Sequence, residues 1–187
     1  MVGCLEGTTK YVNESRIIIL TGGVGYLVFT PLPTLLAHKE GDTIALYIHT
    51  RVREDAITLY GFETLTELEL FEKLISVSGI GPKSGLAMMS VHSPASIADA
   101  VERNDVALLS HTPGIGKKTA EKIIVELRGK LTNLQKTSTS SDSLFEVRLA
   151  LEALGYNARE VYGVLEKLNP HEKDTSKLIK EALSFLK

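Results

Sequence analysis

The chain has one cysteine, no tryptophan and no excess of positive charge. A lone Cys4 makes no internal disulfide, which favours a reducing, cytoplasmic setting. Its place in an apolar first strand predicts a small core residue rather than a nucleophile. No apolar run approaches the length of a membrane span, and Met1-Val-Gly-Cys-Leu-Glu6 lacks the charged and apolar regions of a signal peptide. Net charge is −2 and the pI is near 6.2, so a uniformly basic surface that coats nucleic acid is excluded. Any contact with a polyanion then uses locally concentrated charge and backbone dipoles. His38, His49, His92, His111 and His171 are scattered without ligand spacing, so neither a metal nor a cofactor is expected. With 187 residues, 43% of them hydrophobic, the chain has room for one to three small domains with real cores.

Residues 1–62 read as β structure. Val2 to Tyr11, Arg16 to Leu20, Val24 to Phe29, Thr43 to Thr50 and Ala56 to Gly61 are runs suited to strands, with turn signals such as Thr21-Gly-Gly23 and Lys39-Glu-Gly-Asp42 between them. A small closed barrel of the OB type removes the edges of such a sheet economically. Tyr26 and Phe29 are suited to stacking on bases, but alternate residues of so small a barrel are expected in its core.

Residues 63–135 change to helical periodicity. Thr64-Leu-Thr-Glu67 is a capping box ahead of Leu68, Phe71, Leu74 and Ile75. Ser93-Pro94 and Asn104-Asp105 open two further helices, and Thr119 to Leu131 reads as a longer one. A polar linker follows at 136–142. Residues 143–187 then carry capping patterns at Ser143-Leu-Phe-Glu146 and Asn157-Ala-Arg-Glu160, a cap at Thr175 or Ser176, and apolar spacing for a three-helix bundle. So small a core suits an adaptor better than a catalyst.

One phrase occurs twice: Val77-Ser-Gly-Ile-Gly-Pro-Lys83 and Thr112-Pro-Gly-Ile-Gly-Lys-Lys118. Gly79 aligns with Gly114, Gly81 with Gly116 and Lys83 with Lys118, at an offset of 35 residues. A Gly-x-Gly turn between helices lets backbone approach a ligand closely. The free amides of the following helix then face an anion. With lysine on the first helical turn, that anion is expected to be phosphate. The second phrase is not a P-loop, because His111 replaces its first glycine and Lys118 its hydroxyl residue. Nor is either phrase a dinucleotide fingerprint, since Ser84 and Thr119 stand where the third glycine belongs. A pair of ordinary glycine caps is the bland alternative. Two matched copies sharing a lysine argue against it.

The paired phrases match the helix-hairpin-helix motif. Arg51-Val-Arg-Glu-Asp-Ala56, Leu59-Tyr-Gly-Phe62, the second phrase continued to Leu127, and Ala153-Leu-Gly-Tyr156 together resemble the RuvA family along the whole chain. The linker is short for that family. The resemblance implies an α+β multidomain protein: an OB barrel, a tandem helix-hairpin-helix domain and a C-terminal three-helix bundle like ubiquitin-associated domains. It implies a homotetramer, alone or paired with a second, that holds an open Holliday junction during recombination and repair. It implies no catalytic residue here; the RuvB ATPase, recruited by the last module, supplies the motor, and the RuvC resolvase is a further partner. Gly79, Gly81, Lys83, Gly114, Gly116, Lys117 and Lys118 inherit the phosphate contacts. Glu54 and Asp55 match an acidic pin at the tetramer centre, where four like-charged copies repel an intact duplex. A solvated turn paired with Arg51 and Arg53 is the plain alternative. Two rivals remain: a glycosylase or nuclease using Lys130 or Asp105, and a pure protein-interaction adaptor.

Overall fold

Strand residues alternate inward and outward, and this alternation builds the first core. In β2 (Arg16–Thr21) Ile17 and Ile19 are fully buried, and in β4 (Thr43–Val52) Ile44, Leu46 and Ile48 are buried in the same rhythm. With β1 (Cys4–Val12), β3 (Val24–Phe29) and β5 (Ile57–Phe62), these faces enclose a cluster that also includes Leu5, Val28 and Leu59. In the computed structural model the strands close into a barrel in the order β1-β2-β3-β5-β4. All pairings are antiparallel except β3 with β5, where Phe29 stands opposite Tyr60. A shift of register between Thr9 and Tyr11 bends β1, which pairs with β4 at its start and with β2 at its end. Closure leaves no free sheet edge. The structure describes residues 1–131, 147–148, 150–151, 154–156, 158–165, 168 and 175–186.

Two expectations for this region need correction. Cys4 is exposed, because its neighbour Leu5 takes the inward position on β1. The segment after β3 is also helical: α1 (Leu32–Ala37) buries Thr34 and Leu35. Pro31 and Pro33 give it the look of a loop, but both stand at the helix start, where a missing N–H costs little.

The helical part begins at α2 (Leu65–Ser76), whose capping box is complete: Thr64 Oγ1 accepts from the Glu67 amide and Glu67 Oε2 accepts from the Thr64 amide. Burial raises the Glu67 pKa, against the opposing pull of the backbone donors. Then come α3 (Pro82–Val91), α4 (Pro94–Arg103), α5 (Val106–Ser110) and α6 (Lys117–Leu127). The last begins earlier than Thr119 and stops before Leu131, because Arg128 leaves helical geometry at ψ 130°. Leu70, Phe71, Leu74, Ile97, Ile123 and Ile124 lie at the centre of this second core. Phe62 on β5 reaches into it, with its ring 4.7 Å from that of Phe71. Across the same seam, His49 Nδ1 lies 2.9 Å from Glu72 Oε1 and His38 Nε2 lies 3.2 Å from Glu63 Oε1. These histidines serve the joint between barrel and helices.

Residues 1–134 form one unit and 135–187 another. In the second, α7 (Ala158–Leu165), α8 (Thr175–Phe185) and helical residues 147, 148, 150 and 151 share a core of Val147, Leu151, Val161, Val164, Leu168, Leu178 and Ala182. The linker at 136–142, the cap residues Ser143 and Asn157, and His171 lie outside the described residues. The architecture is the α+β combination that the sequence implies: barrel, tandem-hairpin helices and a small helical module. Among the described residues, no helix is long and apolar enough to cross a membrane, and no group of three His, Cys, Asp or Glu side chains is placed to hold a metal.

Candidate nucleic-acid interface

The repeated phrase is a repeated structure. Residues 77–81 join α2 to α3, and residues 111–116 join α5 to α6. In the first turn the Ile80 amide donates to the Val77 carbonyl at 3.0 Å; in the second the Ile115 amide donates to the Thr112 carbonyl at 3.0 Å. Ile80 and Ile115 are buried in the helical core and anchor each turn from beneath. Gly81 and Gly116 are the N-caps of α3 and α6, with φ −95° and −83°. Their carbonyls accept the first helical bonds, from Gly85 at 3.0 Å and Ala120 at 2.9 Å. Lys83 and Lys118 occupy equivalent positions on the first turns and are exposed, as is Lys117.

How the helices begin separates these two from α2, α4 and α5; the six-residue α1 also lacks a side-chain cap but carries no lysine in its first turn. The first turns of α2, α4 and α5 are capped by Thr64, Ser93 and Asp105. Neither α3 nor α6 has a side-chain cap, and neither has an acidic residue in its first turn. Their opening amides have no partner inside the helix, and no carboxylate offsets the positive end of the dipole. Both ends are therefore suited to an anion. They are not equal, because Pro82 removes one amide from α3, whereas Lys117 and Lys118 keep theirs in α6.

The four glycines do two different jobs. Gly79 and Gly114 have φ of 94° and 83°, which a side chain tolerates poorly. Gly81 and Gly116 are extended, and a Cβ there meets nothing within 4 Å. Gly79→Ala and Gly114→Ala should each cost about 1–2 kcal/mol of stability. Gly81→Ala and Gly116→Ala should cost no more than about 1 kcal/mol, the difference between glycine and alanine at an N-cap. Urea unfolding of the four variants checks this; equal losses at all four positions would contradict the division.

Glu54 and Asp55 form the tip of the β4–β5 hairpin, closed by the Arg53 amide donating to the Ala56 carbonyl at 2.8 Å. Both are exposed, and neither forms a salt bridge with Arg51 or Arg53 among the described residues. Val52 and Ile57, which pair across the hairpin just behind them, are 68% and 71% exposed. Of the two residues that an enzyme reading would use, one serves the fold. Asp105 caps α5, accepting from the Leu108 amide at 2.9 Å, and Lys130 is an exposed residue beyond α6.

Three family models match in order along the chain: RuvA N terminal domain at residues 1–61, SAM-like Helix-hairpin-helix tandem at 71–130, and RuvA, C-terminal domain at 142–187. A curated relative from Brevibacillus brevis is 40% identical over 100% of this chain and 98% of its own length. The chain belongs to the RuvA family. Relatives from Lactobacillus delbrueckii subsp. bulgaricus and Acholeplasma laidlawii are each 42% identical, over 97% of this chain and 96% and 97% of theirs. All three carry the name Holliday junction branch migration complex subunit RuvA. Within the RuvA frame, the two hairpins fall inside the tandem helix-hairpin-helix match and the acidic hairpin inside the N-terminal one.

Proposed function

We propose that this chain binds four-way junction DNA as a tetramer, without sequence specificity, and recruits the RuvB ATPase for branch migration in recombination and repair. The observation that carries this reading is the pair of uncapped, lysine-bearing helix starts, repeated within a RuvA-family chain. Amides and lysines aimed at phosphates position DNA without reading its bases, hence the lack of sequence preference. Two hairpins in one subunit track two stretches of backbone, and Lys83, Lys117 and Lys118 supply local charge to a chain of net charge −2.

The division of labour follows the chain. Residues 1–62 hold the barrel and its acidic pin, and 63–135 grip DNA. Residues 136–142 tether the motor-binding module at 143–187. The chain acts without catalysis in the cytoplasm, RuvB hydrolyses ATP, and RuvC cuts the junction that the assembly holds open. A band-shift comparison tests this: a synthetic four-way junction should bind at least about tenfold more tightly than linear duplex of equal length, with affinity falling steeply as salt rises. Equal affinity for both would remove the junction reading. The purified chain should hydrolyse no ATP alone, yet raise the DNA-dependent activity of RuvB. Hydrolysis that co-purifies and is lost in Lys117→Ala would contradict this.

A further inference from the structure

A cleft of about 660 Å³ opens between the barrel and α3, within the size range of small-ligand sites. The half-buried rings of Phe29 and Tyr60, with centroids 6.0 Å apart, line its barrel side, and Ala87 lines the α3 side. Lys83 from the first turn of α3 and Glu14 from the β1–β2 turn also line it. Thr30 is a further lining residue; it is 3% exposed, and its hydroxyl has no hydrogen-bond partner. That hydroxyl is itself occluded, so it lies behind the cleft wall, and the chemistry a ligand meets comes from the rings, Lys83 and Glu14.

An aromatic wall, a cation and a carboxylate together match a phosphorylated heteroaromatic. We propose that this cleft binds one nucleotide with an unpaired base. The base lies against Phe29 and Tyr60, and its phosphate lies on Lys83. Stacking on aromatic side chains accepts any base. Glu14 accepts a hydrogen bond from an exocyclic amino group, so adenine and cytosine are favoured over thymine. The site deepens the DNA-binding reading through Lys83, which the first hairpin and the cleft share. The nucleotide is either free in solution or displaced from a bound strand.

Titration of the full chain with dAMP and with dTMP, followed by amide chemical shifts in NMR, tests the site. Shifts are expected at Thr30, Thr58 and Leu86, with dAMP about threefold tighter than dTMP. Phe29→Leu keeps apolar volume but loses the stack, and should weaken dAMP about tenfold while leaving a fully paired junction within about twofold. If that variant melts without cooperativity, Ala87→Trp fills the cleft from the other side and should give the same result. A junction with one unpaired adenosine beside its crossover identifies the source. Tighter binding than the fully paired junction, lost in Phe29→Leu, assigns the site to a displaced nucleotide; dAMP binding without that gain assigns it to a free one. Absence of cleft shifts up to about 10 mM dAMP, together with no gain from the unpaired adenosine, overturns the proposal. So do dAMP shifts that survive both variants unchanged. A protein that binds dAMP in this way but does not prefer a junction to duplex would keep the cleft and lose the function proposed above.

Discussion

Gly116→Val is expected to remove most junction binding from a protein that still folds. The backbone at Gly116 has φ −83° and ψ 167°, an extended geometry that β-branched residues adopt readily, and a Cβ there meets nothing within 4 Å. Replacing a glycine N-cap that makes no side-chain bond costs at most about 1 kcal/mol. In the junction-binding reading proposed above, the new methyls stand on the side from which a phosphate would reach the amides of Lys117 and Lys118. Hydrogen bonds to charged groups are worth about 1.5–3 kcal/mol each, so losing two lowers affinity at least about hundredfold. Gly81→Val should do less, because Pro82 already leaves α3 one donor short. Lys118→Ala should weaken all sequences alike and lower the salt slope by about one unit. Junction titrations beside circular-dichroism melts make the measurement. Wild-type affinity in a folded Gly116→Val protein would sink the hairpin assignment.

Neutralising the acidic tip should cost selectivity rather than affinity. Glu54→Gln with Asp55→Asn removes two exposed negative charges with little change in size. If four such tips meet at one axis, each carboxylate repels its neighbours and any phosphate lying across them. A unit-charge pair about 10 Å apart is worth between about 0.4 and 1.7 kcal/mol, depending on how much water screens it. Duplex binding should therefore tighten while junction binding stays level or improves. The ratio between them should narrow about tenfold at low salt and less as ionic strength rises, where screening already weakens the repulsion. Wild-type discrimination by the double variant at low salt would reduce the pair to a solvated turn.

The amino-acid sequence by itself determined what depends on local rules. Capping residues act on the next three or four positions, so the starts of α2, α4 and α5 could be read from Thr64, Ser93 and Asp105. Strand alternation has a period of two, and the barrel strands follow it. The doubled Gly-Ile-Gly phrase implied two matched turns, and both turns have the same hydrogen bonds. Tertiary structure decided everything that depends on which face turns inward and which distant segments meet. Cys4 and Leu5 are adjacent in an apolar run, and only barrel closure sends Leu5 inside and leaves Cys4 outside. The segment that forms α1 lies in a stretch that reads as β structure, and its helix buries Thr34 and Leu35. The glycines of the two hairpins look alike in sequence, yet φ separates those the backbone needs from those that leave room for a ligand. The cleft joins Glu14, Phe29, Tyr60 and Lys83 across four elements, and His49 meets Glu72 across the seam. No local pattern encodes such meetings, because contacts distant in the chain exist only after the barrel has closed and the helices have packed against it.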